Sequence, residues 1–434
     1  MQMDEYRRRR RELMNMMGEH GVAVLAAAPE QVRNRDVLFP YRQDSDFQYL
    51  TGFPEPEAVM VLVPGREHGE YILFCRDRDP EREQWDGPRA GQDGAREHYG
   101  ADDAFPIDDI DEILPGLLEG RDKVFCMVGV HQEFDQALFG WVNQIRARSR
   151  TGARAPGEYV SLEHLLHEMR LIKSAAELKR MREAAQISAA AHRRAMEVCR
   201  PDMHEYEIEA EFTYLYRRHN GEHAYPPIVG GGRNGCILHY IENSAPLRDG
   251  DLLLIDCGCE LDCYASDITR TFPVNGRFTP EQRAVYDIVL EAQYAAIDAV
   301  RMGNHWNMPH EAALRVLTQG LVDLGLLQGA VDDLIEAEAY RPFYMHRTGH
   351  WLGMDVHDVG DYRVDGHWRE LEPGMVLTVE PGLYIPDTIP DVDPRWHNIG
   401  IRIEDDVAVG RDGPDVLSTG APKEPEEIEA LMRS

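Results

Sequence analysis

The chain has 434 residues, of which 43% are hydrophobic and 28% are charged, a composition ordinary for a soluble globular protein of more than one domain. Its 77 acidic residues outnumber 46 basic ones, and the formal net charge of −31 is spread along the chain rather than gathered in a tail. Such a surface repels phosphate backbones. The charge therefore argues against a nucleic-acid partner.

The cysteines and the N-terminal segment bear on the cellular compartment. Seven cysteines, an odd number at low density, favour reduced thiols over a disulfide framework. The arginine-rich start, with Arg7 to Arg11, contains no apolar core of signal-peptide length, and VAVLAAA at 22–28 is too short to cross a bilayer. The sequence predicts a cytoplasmic protein without a membrane anchor.

Short apolar runs alternate with helical or loop segments from about residue 20 to residue 150. Five runs are typical of strands: GVAVLAA, FQYLTG, AVMVLVP, EYILFC and KVFCMVG. A basic segment at 147–158 contains Gly and Pro and lacks periodicity, which indicates a domain boundary there or shortly after it. We predict a mixed α/β N-terminal domain over residues 1–172 and a second domain over residues 173–434.

Two helices of the second domain carry clear N-terminal signals. Ser174 and Glu177 have the spacing of a capping box, and so do Thr279 and Gln282, with Pro280 at the first helical position. Pairs of strands are predicted before and after the second of these helices. This order of elements indicates an α+β or α/β domain.

Two neighbouring segments each place a carboxylate in a predicted strand. They are DLLLIDCG at 251–258 and YASDITRTF at 264–272. If they pair as a hairpin that turns near Leu261 and Asp262, Asp256 and Asp267 lie roughly opposite one another. Two close carboxylates in an apolar wall must share a proton, find cations or bind metal, although either aspartate alone would more often be a turn or cap residue.

Three histidines lie among glycines and apolar residues in YMHRTGHWLGMDVHDVG, residues 344–360: His346, His350 and His357. The spacing of the first two suits a helical zinc motif. However, Arg347 stands where the glutamate of that motif should be, and Gly349 weakens a helix. The histidines therefore need another explanation.

Carboxylates also enter apolar strands further along the chain. Glu380 ends one strand, and Arg402 and Glu404 share one face of an alternating strand. Glutamate is poorly favoured there unless something offsets its desolvation. An oxygen-rich set with one imidazole suits two divalent ions and metal-assisted hydrolysis. Its members are Asp256, Asp267, His350, Glu380 and Glu404.

Several segments resemble the metallopeptidases with the pita-bread fold, and in particular the bacterial aminopeptidase P (Xaa-Pro aminopeptidase) family. They are NGCILHYIENSAPLRDGDLLLIDCGCE, SDITRTFPVNG, HWLGMDVHDVG, TVEPGLYIP and GIRIEDDV, together with RQDSDFQYLTGFPEPEAV near the N-terminus. Because five ligand motifs occur in the family's order, the resemblance is specific. It implies an α+β pita-bread catalytic domain behind an N-terminal domain of the creatinase and aminopeptidase P type.

The resemblance also implies a role for each metal ligand. Asp256 and Asp267 bind metal, with Asp267 bridging two ions, and His350 binds one ion. Glu380 is a ligand that also shuttles a proton, and Glu404 is the second bridge. Manganese is the implied metal, although the residue types alone admit cobalt, zinc or iron equally well.

Other residues are implied to act beside the metal ligands. His239 and His357 match histidines that contact substrate and stabilise the tetrahedral intermediate, and His346 matches a residue that lines the proline pocket. Arg402 is expected to orient the bridging carboxylate or neighbouring groups. Tyr384 is a candidate for the same role and for contact with substrate.

Two residues of the N-terminal domain, Trp85 and Asp46, are implied to reach the substrate cleft, either that of the same subunit or that of a neighbouring one. The family forms dimers and tetramers, so a homodimer or homotetramer is expected. Nothing else in the sequence bears on the assembly state.

The implied activity is an Xaa-Pro aminopeptidase, which removes the first residue of a peptide when proline is second by means of a hydroxide that bridges two metal ions. A prolidase, which cleaves only Xaa-Pro dipeptides, would use the same fold and ligands. A non-catalytic pita-bread module that binds protein partners is a third possibility. Members of that third class lack the metal ligands that are all present here.

Overall fold

The computed structural model describes residues 1–433, which form two compact units, Met1–His167 and a second unit that begins at Glu168. The sequence predicts the boundary a few residues later, after residue 172. Within the described residues, every helix is too short or too polar to span a bilayer.

The first unit is a mixed α/β domain. Its helices are α1 (Met3–Met17), α2 (Ser45–Thr51), α3 (Pro80–Asp86), α4 (Gly91–Tyr99), α5 (Ile110–Leu118), α6 (Gln132–Ala147) and α7 (Glu163–Leu171), which contains the division between the units. Its strands are β1 (Gly21–Ala26), β2 (Val32–Asn34), β3 (Val37–Leu38), β4 (Val59–Leu62), β5 (Tyr71–Cys75), β6 (Asp103–Pro106), β7 (Lys123–Cys126) and β8 (Glu158–Ser161).

Six of these strands form one sheet in the order β6-β5-β4-β1-β7-β8. Strand β4 is antiparallel to both β1 and β5, whereas β7 is parallel to β1 and β8. Apolar residues of the strands and of α5 and α6 share one core that includes Val22, Phe74, Leu114, Trp141 and Val142. The predicted fold class of this domain is confirmed.

One strand prediction in this unit is wrong, because FQYLTG belongs to helix α2. The Asp44 side chain caps the helix by accepting a hydrogen bond of 2.8 Å from the backbone N–H of Phe47. Gly52, with φ of +65°, ends it in the left-handed region. Phe47, Tyr49 and Leu50 are all buried. A short helix buried on most sides gives a continuous apolar run, which cannot be told from a strand by periodicity.

The second unit contains six further helices and twelve short strands among the described residues. The helices are α8 (Ala175–Val198), α9 (Glu205–Arg218), α10 (Pro280–Asp298), α11 (Met308–Asp323), α12 (Val331–Glu336) and α13 (Pro425–Met432). The strands are β9 (Glu222–His223), β10 (Ile228–Gly231), β11 (Leu252–Asp256), β12 (Cys259–Glu260), β13 (Thr269–Pro273), β14 (Arg363–Val364), β15 (His367–Trp368), β16 (Val376–Val379), β17 (Gly382–Ile385), β18 (Ile399–Arg402), β19 (Asp405–Val409) and β20 (Pro414–Val416).

Both predicted capping boxes begin helices of this unit. The Ser174 hydroxyl and the Glu177 carboxylate exchange hydrogen bonds with backbone N–H groups at the start of α8. Thr279 and Gln282 do the same at the start of α10, where Pro280 occupies the first turn. The buried faces of these helices and the strands share one large apolar core. Helices packed on antiparallel strands give the predicted α+β class.

The predicted hairpin forms, and it sets the positions of both aspartates. Strand β11 is the central strand of a three-stranded antiparallel sheet and pairs with β10 on one side and β13 on the other. The chain turns at Asp262 and Cys263, which both have positive φ, between the mutually hydrogen-bonded Leu261 and Tyr264. Asp256 lies opposite Thr269, two residues after Asp267. The two aspartates are therefore diagonal neighbours on one face.

Candidate metal centre and substrate cavity

The second unit contains a cavity of about 810 Å³. Its polar lining gathers every predicted metal ligand and the three predicted histidines of the substrate site. The lining residues are Tyr225, Pro226, Ile228, Leu238, His239, Ile241, Asp256, Asp267, Trp306, His346, Arg347, Gly349, His350, Val356, His357, Tyr362, Trp368, Glu380, Arg402 and Glu404. A concave site with mixed apolar walls and a compact polar cluster is typical of small-ligand binding.

The two hairpin aspartates meet at the hydroxyl of Tyr225. The Tyr225 oxygen lies 2.6 Å from Asp256 Oδ1 and 2.5 Å from Asp267 Oδ1. One hydroxyl can donate its proton to only one of them. Burial and the charge of Asp256 raise the pKa of Asp267. The two carboxylates therefore lie close enough for the charge of one to disfavour ionisation of the other.

His350 is held in the tautomer that a metal ligand needs. Its Nδ1 donates to the carbonyl oxygen of Trp351 at 2.9 Å, so Nε2 faces the carboxylates and is the nitrogen that could bind metal after losing its proton. Nε2 lies 3.3 Å from Asp267 Oδ2 and 3.8 Å from Glu380 Oε1. Burial alone would lower the pKa of His350, but these carboxylates outweigh it and raise the pKa to about 9.

His350 is placed by a strand-like segment beside β16. His350 N donates to the hydroxyl of Thr378, and Thr378 N donates to the carbonyl oxygen of His350. A Cβ at Gly349 would lie 2.0 Å from the Thr378 carbonyl oxygen, so only glycine allows this approach. The segment is extended rather than helical, and the helical zinc motif is excluded here.

Two glutamates complete the cluster. Glu380 directly follows β16, and Glu404 lies between β18 and β19, where its Oε2 accepts a hydrogen bond of 2.6 Å from the Thr269 hydroxyl. Burial, followed by the charge of Asp267, raises the pKa of Glu404 well above its ordinary value. Burial also raises the pKa of Glu380 to about 7, against the opposing effect of His350 and Arg402.

The Arg402 guanidinium binds the carboxylate of Asp256. Its Nη2 donates to Asp256 Oδ2 at 2.6 Å, and its Nε lies 3.1 Å from the Thr269 hydroxyl that binds Glu404. Arg402 therefore contacts Asp256 directly and reaches Glu404 only through Thr269. The guanidinium supplies one positive charge to a group of four carboxylates.

A directed chain of hydrogen bonds runs from Arg402 to His346. Arg402 Nη1 donates to the Tyr384 oxygen at 3.0 Å, and the Tyr384 hydroxyl lies 2.9 Å from His346 Nε2. His346 Nδ1 donates to the Arg347 carbonyl oxygen at 2.7 Å, so Nε2 accepts from Tyr384. Burial and the charge of Arg402 lower the pKa of His346 to about 3. The imidazole ring of His346 is therefore neutral at physiological pH, has a fixed orientation and forms part of the cavity wall.

The other two predicted histidines also line the cavity. The rings of His357 and His350 are edge to face, with centroids 4.4 Å apart. Burial and the neighbouring His350 lower the pKa of His357. His239 reaches the cavity from the segment between β10 and β11.

Trp85 and Asp46 belong to the first unit and do not line this cavity. Trp85 is 86% exposed near the end of α3. Asp46 is buried in α2, and its Oδ2 lies 3.6 Å from His167 Nε2. Their role in substrate binding stays a prediction.

The sequence did not single out three residues that organise the cluster. Tyr225 joins the two aspartates, Thr269 joins Glu404 to Arg402, and the buried Asp406 accepts a hydrogen bond from the backbone N–H of Asp267 at 3.1 Å. The sequence could have identified Thr269 by its position two residues after Asp267, which places both side chains on the same strand face. Tyr225 and Asp406 come from other segments and had none.

The donor set fits divalent metal ions. Ligand atoms of Asp267, His350 and Glu404 lie within 4.8 Å of one another, and Asp256 and Glu380 border the same group. Four carboxylates beside one guanidinium and one imidazole leave excess negative charge in a buried place, which cations would neutralise. Oxygen donors with a single imidazole suit hard or borderline ions.

Comparison with known proteins agrees with this chemistry. The model of metallopeptidase family M24 matches residues 179–411, and the model of the aminopeptidase P N-terminal domain matches residues 6–125. The chain is 48% identical to the Xaa-Pro aminopeptidase of Escherichia coli over 99% of its own length and 97% of that protein. The chain belongs to metallopeptidase family M24.

Solved structures of M24 peptidases extend the likeness to the whole chain. The structure of the Pseudomonas aeruginosa aminopeptidase PepP is 63% identical, with a TM-score of 0.99 over 100% of this chain and 98% of that one. A zinc-substituted Escherichia coli aminopeptidase P in complex with product is 47% identical, with a TM-score of 0.97 over 100% of this chain and 98% of that one. The predicted pita-bread fold and the assignment as a metal-dependent peptidase are confirmed.

Proposed function

We propose that the protein is an Xaa-Pro aminopeptidase, which hydrolyses the first peptide bond of substrates that have proline in second position. The observation that carries the proposal is the convergence of five metal-ligand candidates and three histidines on one cavity of an M24 fold. The names of its full-length relatives, from 48% identity downwards, support the same activity.

We propose that two divalent ions, most favourably Mn²⁺, bind at Asp256, Asp267, His350, Glu380 and Glu404. Bound ions of this kind lower the pKa of a water molecule and polarise the scissile carbonyl. Asp267 and Glu404 would each help to hold both ions. The tautomer of His350 supports a ligand role, because Nδ1 is committed to the Trp351 carbonyl oxygen and Nε2 is available.

The side chains around the cluster have separate tasks. Glu380, which lines the cavity, would take the proton of the attacking water on a carboxylate oxygen and return it to the proline nitrogen, which must be protonated to leave. His239 and His357 are proposed to donate N–H hydrogen bonds to the carbonyl oxygen as it gains charge. Arg402 and Tyr384 keep the ligands and His346 in place.

Selectivity for proline follows from what proline lacks. An Xaa-Pro bond has no N–H that a peptidase could bind, and the ring fixes φ near −65°. The cavity offers apolar contacts from Ile228, Leu238 and Val356 beside the neutral ring of His346. The acidic cluster attracts the positively charged amino terminus of the peptide. Together they would bind the two ends of an Xaa-Pro unit.

We also propose that the enzyme works in the cytoplasm on peptides, as a homodimer or homotetramer, without nucleic-acid or membrane partners. The exposed ring of Trp85 supports contact with another subunit. Trp85 and Asp46 are proposed to contribute to substrate binding in that assembly. Native mass measurement of the wild-type protein and of Trp85→Ala tests the assembly state.

Turnover of three peptides with added Mn²⁺ tests the activity. Ala-Pro-Ala should release Ala and Pro-Ala, whereas Ala-Ala-Ala should react far more slowly. Elemental analysis of the same preparation should find about two ions per chain, as the paired-ion mechanism requires. Hydrolysis confined to the dipeptide Ala-Pro would identify a prolidase instead. Absence of hydrolysis of all Xaa-Pro peptides would contradict the proposal.

A further inference from the structure

One wall of the cavity is aromatic and lies beside the metal centre rather than within it. It consists of Trp306, Tyr362 and Trp368. The ring centroids of Trp306 and Tyr362 are 4.5 Å apart, and both rings pack on Trp351, which directly follows His350. None of these three aromatic residues has a role in the mechanism proposed above.

Arg347 belongs to this wall although it adjoins His346 in sequence. The His346 ring points to Tyr384 and Glu380, whereas the Arg347 guanidinium lies over the Trp368 ring, 5.4 Å from its centroid, and donates to Asn307 Oδ1. The two consecutive side chains therefore serve different parts of one cavity. His346 faces the ligand cluster, and Arg347 faces the aromatic wall.

Arg347 is exposed and, among residues 1–433, has no carboxylate within ion-pair distance. Its polar partner Asn307 is neutral, and Asn307 in turn donates to Glu311. By contrast, Arg402 of the same cavity binds Asp256 at 2.6 Å. Arg347 therefore brings to the cavity lining a guanidinium whose charge no ion pair within residues 1–433 neutralises. It offers a planar donor pair suited to a carboxylate.

We propose that Arg347 binds a carboxylate on the part of the peptide that follows proline. The inference rests on the proposed function and deepens it by naming the favoured substrates. When the amino terminus is at the acidic cluster and proline beside His346, the residue after proline would lie near Arg347, which follows His346 in sequence and lines the same cavity. The carboxylate is either the C-terminus of a tripeptide or an acidic side chain at the third position.

Three peptides distinguish these two sources. Ala-Pro-Ala carries a C-terminal carboxylate, Ala-Pro-Ala-amide carries none, and Ala-Pro-Asp-amide carries one only on its side chain. We expect the wild-type kcat/KM for one or both charged peptides to exceed that for the neutral amide by about three- to fivefold, the range of a solvent-accessible ion pair. Added salt should reduce this preference. Equal rates for all three peptides would overturn the inference.

Arg347→Met should abolish the preference, measured within the variant as the ratio of kcat/KM for each charged peptide to kcat/KM for Ala-Pro-Ala-amide, and Arg347→Lys should retain part of it. Arg363→Met is the matched control. Arg363 also stacks on Trp368, 4.0 Å from the ring centroid, but it does not line the cavity. This control should keep the full preference. Persistence of the preference in Arg347→Met would contradict the role of Arg347.

Equilibrium binding separates failure of this inference from failure of the proposed activity. Calorimetric titration with Pro-Ala and with Pro-Ala-amide needs no turnover. Tighter binding of the free acid to wild type than to Arg347→Met supports the carboxylate site even if Xaa-Pro peptides are not hydrolysed. Equal affinities of the two proteins for the free acid would exclude the site even if Xaa-Pro peptides are hydrolysed.

Discussion

Arg402 Nη2 donates to Asp256 Oδ2 across 2.6 Å, which joins the end of β18 to the end of β11 at the candidate metal centre. The same guanidinium also donates to Tyr384 and lies 3.1 Å from the Thr269 hydroxyl. Three directed hydrogen bonds use the rigid fork of arginine, which a lysine ammonium on a flexible stem cannot reproduce. Arg402 therefore orients one proposed ligand and one wall of the substrate cavity together.

Replacing Arg402 should weaken metal binding even though Arg402 is not a ligand. We expect Arg402→Lys to lower the affinity for Mn²⁺ by about 10- to 100-fold, the usual effect of losing a residue that orients a ligand. Titration of metal-free protein with Mn²⁺ measures this change. Arg182→Lys is a suitable control, since Arg182 forms a surface ion pair with Asp415. Unchanged affinity in Arg402→Lys would show that Asp256 holds its position without the guanidinium.

Asp267→Asn should separate metal binding from folding. The substitution keeps the shape of the side chain but removes the charge of a proposed bridging ligand, so we expect loss of metal and of hydrolysis. Because the carboxylates repel one another in the metal-free state, the chelated variant should melt no lower than chelated wild type. Differential scanning calorimetry with chelator and with Mn²⁺ tests both statements. Two tightly bound ions and near-normal turnover in the variant would refute the ligand assignment.

Stability of the metal-free protein should fall as pH rises from about 7 to 9, above the range in which buried neutral histidines such as His346 oppose the trend. The folded-state pKa of Glu380 is raised from 4.5 to about 7, and that of His350 from 6.5 to about 9. Both groups bind more protons folded than unfolded in this range, so each contributes stability at low pH that is lost as pH passes its folded pKa. The Glu380 shift alone corresponds to roughly 3 kcal/mol.

Melting temperatures in chelator at half-unit pH steps measure this loss. Divalent ions should reverse the trend, because they bind the deprotonated ligands. Mn²⁺ should therefore raise the melting temperature more at pH 8 than at pH 6. A metal-free stability that rises between pH 7 and pH 9 would show that the carboxylates are not held close together in the protein without metal.

The correct predictions rest on signals that are local in the sequence. The boxes at Ser174 and Thr279 need only four consecutive residues, and the hairpin of Asp256 and Asp267 needs only two strands and a short turn. Alternation within one strand pair also fixes which face each aspartate occupies. Short-range geometry therefore gave two of the five candidate metal ligands, Asp256 and Asp267.

The contacts that the sequence left open depend on tertiary packing rather than on a local pattern. Arg402 and Glu404 are two residues apart, but the chain changes partners between them: Arg402 ends β18, which pairs with β17, and Glu404 N bonds to Thr269 O. Alternation predicts a shared face only within one sheet, so the contact of Arg402 with Asp256 could not be read from it. Tyr225 is a similar case, since a single tyrosine before a Pro-Pro pair has no periodic signal.

A buried ion-pair cluster should hold the loop that carries His357. Asp358 accepts from Lys173 Nζ at 2.9 Å and from Arg170 Nη2 at 2.6 Å, and the side chains of Asp358 and Lys173 are each 1% exposed. Gly353 packs so closely on this carboxylate that a Cβ would lie 1.9 Å from Asp358 Oδ2. The residues around His357 have no regular secondary structure, so these contacts fix its position.

Lys173→Met should therefore affect both stability and turnover. Removing one partner of a buried pair typically costs 3–5 kcal/mol, and we expect about that loss in urea denaturation. We also expect kcat to fall with little change in metal content, because the loop and not the ligand set is displaced. Lys179→Met, on the exposed face of α8, is the control and should change neither quantity. A kcat equal to that of wild type would show that the ion-pair cluster stabilises the fold without affecting the position of His357.

His239→Ala should lower turnover while leaving the metal ions in place. His239 lines the cavity but has no contact with the carboxylate cluster that would make it a ligand, and a donor to a developing negative charge typically contributes 10²- to 10³-fold to kcat. Elemental analysis and kcat, measured on one preparation, separate the two effects. His239→Gln, which keeps an N–H donor, should recover part of the rate. Loss of both metal and turnover in His239→Ala would instead show that His239 is a metal ligand.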